Sequence, residues 1–286
     1  MYRIDALLSA RLFLRPQRVG SRIFFLSNRS GHNSLYAMDY GGSVPEPLLP
    51  PNIVLQNPHL IGGDSFVVFK ALDKILVMID QDGDENYQPM IVPMTGGFPE
   101  PAFKNFFENT RCHMGMTDEK LNICIISAES REEGMIRTYI CHLDTDEVEE
   151  IYASPYGGYP TAHNDEFTRL VLVEGYQVGD DVAYLWEQGK NINLLYGKPL
   201  ADRQPGEEVP LTAFCGGFFT GGGKGLVFNN ALFKDTYGLG YLDLENPGEP
   251  VEVPFADLVH TGVGEDRKSQ RLNFSHRIRT RMRFSA

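Results

Sequence analysis

A tight turn leads directly into an apolar strand in the stretch Val19-Gly20-Ser21-Arg22-Ile23-Phe24-Phe25-Leu26-Ser27. The glycine suits the turn, and the β-branched and aromatic residues after it favour an extended strand that is buried on both faces. A second strand follows at Ser34–Asp39 and ends at Gly41-Gly42. A short third strand, Pro47-Leu48-Leu49, closes the unit. The unit therefore predicts consecutive antiparallel strands joined by short turns.

This unit recurs five times along the 286 residues of the chain. The apolar strands are predicted to begin at positions 22, 65, 122, 169 and 225, which gives spacings of 43, 57, 47 and 56 residues. One four-stranded blade of a β-propeller needs about 40–50 residues. Long amphipathic helices are not evident, which argues against α/β folds because those need a crossover helix. We predict an all-β protein, a β-propeller of about five four-stranded blades, with an incomplete six- to eight-bladed ring as an open alternative.

Three segments are predicted. Residues 1–18 form an N-terminal lead segment, within which residues 4–13 could make a short helix. Residues 19–263 form the propeller blades, and residues 103–110 within them could be a short helix or an irregular loop. Residues 264–286 form a basic tail that we interpret as disordered rather than as a nucleic-acid-binding arm.

The charge changes sign along the chain. The formal net charge is −12, but the last twenty residues hold seven of the 26 basic side chains and no acid. Residues 1–266 therefore carry 19 basic and 38 acidic side chains, a net charge of −19. Such an acidic body repels phosphate backbones, so we expect no nucleic-acid partner for the main domain.

The cysteines and the hydropathy pattern bear on the compartment. The four cysteines, Cys112, Cys124, Cys141 and Cys215, form no C-x-x-C pair, so buried free thiols in a reducing compartment are expected. No apolar run approaches the ~18–20 residues of a membrane span. We therefore expect a cytoplasmic protein with no membrane partner.

The serines of the sequence lack the flanking pattern of a hydrolase nucleophile. A nucleophile elbow places glycine two residues before and two residues after the serine. Ser43 has Gly41 before it but Pro45 after it, and none of the 13 serines fits. We expect no α/β-hydrolase domain within this sequence and no catalytic residue.

Metal and cofactor motifs are equally weak. The acids in Asp80-Gln81-Asp82-Gly83-Asp84-Glu85 alternate as in a calcium loop, but the sixth and twelfth positions are Glu85 and Ile91 instead of glycine and glutamate. A solvated turn is the favoured interpretation, and a weak cation site is the alternative. His163, beside Asn164 and Asp165, is interpreted as a structural histidine of an inter-blade turn. The glycines at 216–217 and 221–223 lack the lysine pattern of a P-loop. We expect no metal and no cofactor.

The first two units together resemble a known family. They are similar to the propeller of bacterial serine peptidases of the prolyl oligopeptidase family, and the acylaminoacyl-peptidase-like branch is the most similar. The likeness spans roughly residues 10–255, and it is strong in the first two units and architectural in the last three. The residues that carry it are Phe24–Gly31, Leu35-Tyr36, Gly41-Gly42, Pro45–Leu48, Asp80–Gln88 and Val92–Pro101.

The resemblance implies that this chain acts as one domain of a larger enzyme. In that family the propeller caps a C-terminal α/β-hydrolase domain and restricts access, so that peptides reach the catalytic serine and folded proteins do not. This sequence matches no catalytic position of that domain. It therefore implies a non-catalytic gating propeller, whose partners are peptide substrates or a hydrolase domain. The alternative is a stand-alone propeller that acts as a protein or peptide interaction module.

Overall fold

The computed structural model describes residues 11–58, 64–80, 85–130, 132–234 and 237–254. Within these ranges the chain forms 21 β-strands in five antiparallel sheets, and no α-helix lies wholly inside them. The prediction of an all-β chain with five blade-like sheets is therefore confirmed. Three single-turn 3-10 helices are also present, at Lys70–Leu72, Phe103–Asn105 and Leu200–Asp202.

The chain divides into two compact units, with the boundary between Pro155 and Tyr156. The first unit holds three sheets. Sheet 1 contains β1 (Leu14–Val19), β2 (Arg22–Ser27), β3 (Ser34–Asp39) and β4 (Glu46–Pro47); sheet 2 contains β5 (Val54–Leu55), β6 (Phe66–Phe69), β7 (Lys74–Asp80), β8 (Gln88–Pro93) and β9 (Glu100–Pro101); sheet 3 contains β10 (Thr110–Asp118), β11 (Ile123–Ser130), β12 (Ile136–His142) and β13 (Glu147–Ser154).

The second unit holds two sheets of four strands. In every sheet of the chain, strands that are adjacent in sequence lie side by side, except that β5 and β6 both pair with β7. Sheet 4 contains β14 (Tyr159–His163), β15 (Arg169–Gln177), β16 (Asp180–Glu187) and β17 (Asn193–Tyr196); sheet 5 contains β18 (Cys215–Thr220), β19 (Gly225–Asn230), β20 (Gly238–Asp243) and β21 (Val251–Glu252).

Apolar clusters join neighbouring sheets within each unit. One cluster packs Phe24 and Leu35 of sheet 1 against Phe66 and Val77 of sheet 2. A second cluster joins sheets 2 and 3, and a third joins sheets 4 and 5 in the second unit. The second strand of every sheet supplies residues to these clusters, and β7 in the middle of the first unit supplies Leu76 and Met78 to one cluster and Ile75 and Val77 to another from its opposite face. Face-to-face packing of consecutive four-stranded sheets is the arrangement of propeller blades.

In the second sheet, the sequence pattern identified the wrong strand as the equivalent of β2. The strands predicted to start at 22, 122, 169 and 225 are the second strands of their sheets, but the run at 65–69 is β6, which lies in the innermost position of sheet 2. Because β5 and β6 both lie along the same edge of β7, the second strand of that sheet is β7. With its start at Lys74, the starts of the five second strands are 46 to 56 residues apart. The error arose because β6 is as apolar as a second strand, being buried at all four positions.

The innermost strands also correct the predicted start of the blades. Strand β1 begins at Leu14, so the first sheet includes residues that were predicted to precede the blades at 19. The segment 103–110 contains a 3-10 turn at Phe103–Asn105 and the start of β10. The basic tail at 264–286 and most of the predicted helix at 4–13 lie outside the described residues. In the ranges that are described, no helix has the length and apolar character needed to cross a membrane.

Candidate binding surfaces

The inner strands of sheets 1 and 2 are joined by one glutamine side chain. Gln17 on β1 donates from Nε2 to the carbonyl oxygen of Phe66 at 2.9 Å. Its Oε1 accepts the main-chain N–H of Val68 at 3.1 Å. An amide side chain carries one donor and one acceptor group, as a peptide group does, so Gln17 satisfies the free edge of β6 as a neighbouring strand would. The two blades are thereby held at a fixed separation.

Sheets 2 and 3 are linked by side chains of the same kind. The amide nitrogen of Gln56 lies 3.4 Å from Nδ1 of His113 on β10. Burial, followed by the charge of Arg111, lowers the pKa of His113, so its ring is neutral at pH 7. Gln88 donates a hydrogen bond to the carbonyl of Thr110 at the start of β10. Amide side chains thus connect neighbouring blades of the first unit, Gln17 and Gln56 at the inner edges and Gln88 from β8.

A groove of about 300 Å³ lies between the outer parts of sheets 1 and 2. Its walls are the run Pro47–Pro51 and the turn Thr95–Phe98. A hydrogen bond joins the two walls, since Gly97 in the turn donates its N–H to the carbonyl of Leu48 at 3.0 Å. Phe98 at its rim is 82% exposed. Prolines, leucines and Phe98 supply most of the side chains of this groove, so it could take an apolar side chain of a ligand.

A second groove, of about 320 Å³, lies between sheets 4 and 5 and is polar. Nε of Arg169 is 3.1 Å from Oε1 of Glu187, and Lys224 pairs with Glu245 at 3.1 Å. Arg169 also donates a hydrogen bond to the carbonyl of Gly223. Each cation in this groove is therefore already paired with an anion.

Adjacent aspartates at the start of β16 have different environments. Asp180 forms a bidentate ion pair with Arg203 at 2.7 and 2.8 Å, and its side chain is only 4% exposed. The guanidinium also lies over the ring of Tyr176, with its central carbon 4.9 Å from the ring centroid. Asp181 has no cation beside it in the described contacts; burial and the Asp180 charge raise its pKa to about 6, against the effect of a hydrogen bond from Phe214. Sequence patterns gave no sign of this asymmetry.

Ser43 and His163, the candidate catalytic and metal-binding residues of the sequence, make contacts that stabilise turns and packing. Ser43 accepts the main-chain N–H of Asp39 in an exposed turn. His163 is the last residue of β14 rather than part of an inter-blade turn. Its ring stacks on Phe167, with centroids 3.9 Å apart, and Nδ1 is 2.9 Å from the carbonyl of Asn164. This is the environment of a structural histidine.

The calcium-like loop is only partly described, since residues 81–84 lie outside the described ranges. Its first carboxylate, on Asp80, accepts the main-chain N–H of Glu85 at 3.1 Å, which is a turn interaction. Among the described residues no group of three or more histidines, cysteines or acids is placed to hold a metal ion. The weak cation site therefore remains only a sequence-based alternative.

Three of the four cysteines lie in the core of sheet 3. Cys124 and Cys141 face each other across β11 and β12, and Cys112 lies on the adjacent strand. Burial raises the pKa of Cys112 to about 12 and also raises that of Cys141. These thiols are free and buried, as the sequence predicted, whereas Cys215 is free and exposed.

Five blade-like sheets with shared apolar interfaces define the chain as a β-propeller protein. The fold is similar to that of a prolyl endopeptidase, with a TM-score of 0.61 and 8% sequence identity over 87% of this chain and 37% of that one. An oligogalacturonate lyase in complex with manganese is similar over 82% of this chain and 62% of its own, with a TM-score of 0.53 and 14% identity. A putative TolB from Agrobacterium tumefaciens aligns over 85% and 80%, with a TM-score of 0.50 and 12% identity.

These likenesses establish the fold. The chain spans a little over a third of the length of the prolyl endopeptidase. No protein-family model matches the sequence, and no curated protein sequence matches it. The fold implied by the sequence resemblance is confirmed, and the described residues contain antiparallel sheets with none of the βα units of a hydrolase domain.

Proposed function

We propose that this chain is the non-catalytic propeller of a serine peptidase and controls the access of peptides to a hydrolase active site that lies outside this sequence. The observation that carries the proposal is the extent of the structural match. Most of this chain aligns with 37% of a prolyl endopeptidase, the share expected for one domain of a larger enzyme. Inter-domain dynamics has a role in the catalysis and specificity of that enzyme.

The chemistry of the described residues supports a gating role over a catalytic one. Ser65 is fully buried, and its hydroxyl donates to the carbonyl of Gln56 at 2.5 Å. Burial raises the pKa of Cys112 and Cys141, which removes them as nucleophiles at neutral pH. A hydrolase needs an activated nucleophile beside a base, and under this proposal a second domain supplies both.

The inner edges of the blades support the same role. A gate discriminates by size only if its blades keep their separation, and at the inner edges Gln17 and Gln56 link the blades of the first unit. Amide side chains satisfy main-chain groups with no added charge, so an approaching peptide meets no strong electrostatic barrier from these links.

Immunoprecipitation from the source cells, with an antibody against residues 11–254, tests the proposal. The precipitate is treated with a fluorophosphonate probe, and its activity on blocked chromogenic dipeptides is compared with its activity on a folded protein. We expect a labelled serine hydrolase, in the same polypeptide or bound to it, that cleaves the dipeptides and spares the folded protein. A precipitate without any labelled hydrolase would contradict the proposal and favour the stand-alone interaction module.

A further inference from the structure

The segment 212–214 is fastened to the start of β16 by an aspartate. Phe214 donates its main-chain N–H to Oδ2 of Asp181 at 2.9 Å. The hydroxyl of Thr212 donates to the carbonyl of Asp181 at 2.9 Å and accepts the N–H of Asp181 at 3.3 Å. Ala213 donates its N–H to the carbonyl of Gly179 at 2.9 Å. Four hydrogen bonds therefore join three consecutive residues to the β15–β16 hairpin of sheet 4.

The other side of the segment belongs to sheet 5. The carbonyl of Thr212 accepts the N–H of Ala231 at 2.9 Å. The ring of Phe214 stacks on that of Phe228, with centroids 4.2 Å apart and planes inclined by 11°. Ala213 adopts a φ of 45°, a left-handed conformation that L-residues reach only when their surroundings hold them there. The segment is thus a strained connection between the two sheets of the second unit.

The charged and titratable groups around Asp181 are asymmetric. Asp180 is adjacent and forms its bidentate ion pair with Arg203. Cys215 follows the segment on β18; burial of its sulfur and the Asp181 carboxylate both raise the pKa of its thiol. Across the strand pair, Asp181 faces Gly175, which has no side chain to contribute charge. Ionised Asp181 therefore adds negative charge beside another carboxylate.

We propose that Asp181 is a pH-dependent latch, which holds residues 212–214 against sheet 4 more tightly when its carboxyl group is protonated than when it is ionised. Opening of the segment returns the carboxyl to water and removes its burial, which is the largest cause of the raised pKa, while Asp180 stays adjacent on β16. A protonated carboxyl still accepts the N–H of Phe214 through its carbonyl oxygen, so the latch does not need the charge. The inference concerns the second unit alone and does not depend on the proposed peptidase gate.

The sign follows from the pKa of Asp181 in the two states. Closed, the pKa is about 6; open, it returns toward the ordinary value of 3.8. The closed state therefore binds the proton more tightly, and its advantage is complete below pH 4 and declines as the pH rises through 4 to 6. A difference of this size corresponds to a change of about 100-fold in the opening equilibrium, which solvent screening of a half-buried group reduces toward tenfold.

Amide hydrogen exchange of Phe214 and Ala213, measured by NMR on the full chain from pH 4.5 to 7.5, tests the latch. Observed rates are divided by the intrinsic rates to give protection factors, because intrinsic exchange itself depends on pH. We expect these factors to fall severalfold, up to about tenfold, across the range, and to be independent of pH in Asp181→Asn, which keeps an acceptor and removes the titration. Asp165→Asn, an exposed aspartate in a turn of the same unit, is the matched control and should behave as the parent.

Two results would overturn the latch: protection factors that do not change with pH in the parent, or the same fall in Asp181→Asn. If Asp181→Asn does not fold, the chemical shift of the Phe214 amide in the parent decides the question. A titration midpoint near pH 6 supports the latch, and a midpoint near 4 contradicts it.

Discussion

The Oε1 atom of Gln17 accepts the main-chain N–H of Val68 from 51 residues away in the sequence. Together with the bond from Nε2 to the carbonyl of Phe66, this contact lets one side chain take the place of a paired strand. Both Phe66 and Val68 are buried, so no water is available to replace the glutamine. The link is therefore central to the geometry of the first two blades.

Gln17→Leu is expected to lower the free energy of unfolding by about 2 kcal/mol, because it leaves a buried N–H and a buried carbonyl without partners. Urea denaturation followed by circular dichroism measures the change. Gln188→Leu, at an exposed position with the same change of side chain, should stay within about 0.5 kcal/mol of the parent. Equal effects of the two substitutions would show that Gln17 has no special role.

Gly96→Ala should destabilise the wall of the apolar groove. Gly96 has a φ of +85°, and a Cβ atom there would lie 2.8 Å from the carbonyl oxygen of Leu48. The matched control is Gly20→Ala, which has a φ of +61° and open space around the added carbon. We expect a loss of about 1 kcal/mol for Gly20→Ala from conformation alone and at least about 2 kcal/mol for Gly96→Ala. Thermal unfolding of both variants checks the order, and a smaller loss at Gly96 would contradict the contact with Leu48.

Arg203→Met should lower the free energy of unfolding by about 3 kcal/mol, because it leaves the buried carboxylate of Asp180 without a counter-ion. Adding Asp180→Asn to this variant removes the unpaired charge and should recover part of the loss. Lys190→Met breaks an exposed pair with Glu187 and should cost less than about 0.5 kcal/mol. Denaturant titrations of the four proteins form the test. A double variant as unstable as Arg203→Met would show that charge burial is not the cause.

Thiol reactivity should separate the cysteines into two classes. In the native protein at pH 8 only Cys215 is accessible, so an aromatic disulfide reagent should titrate one thiol per chain, and four in denaturant. The reaction should be slow, since burial of its sulfur and the nearby Asp181 raise the pKa of Cys215. Cys215→Ser should abolish the native reaction, and rapid titration of two or more native thiols would contradict the packing of sheet 3.

The sequence predicted the parts of the fold that depend on apolar patterning. Second strands such as β2 and β11 are buried on both faces, so each gives an unbroken apolar run that stands out from its surroundings. Innermost strands other than β6 lack that signal. In β10, for example, buried Cys112 and Met114 alternate with half-buried Arg111 and His113, and no pattern marked this segment as a strand. The prediction therefore lacked the innermost strand of sheets 1, 3, 4 and 5, and it lacked β5 and β7 in sheet 2.

The features that join the blades could not be predicted in the same way. Gln17 contacts residues about 50 positions away, and Asp181 contacts residues 31 and 33 positions away. A lone glutamine or aspartate has no local spacing that distinguishes it from a solvated side chain. The nucleophile elbow and the P-loop could be assessed from the sequence because each is defined by a fixed spacing of residues that are close together in the chain.

Reaction of the purified 286-residue chain with a fluorophosphonate probe, alongside a panel of chromogenic aminoacyl and N-acyl-aminoacyl substrates, tests the central claim most directly. We predict that no serine is labelled and no substrate is turned over, because the proposed function assigns the nucleophile to another domain. Labelling of any serine together with turnover would contradict the claim, and the labelled residue would identify a catalytic site within the blades.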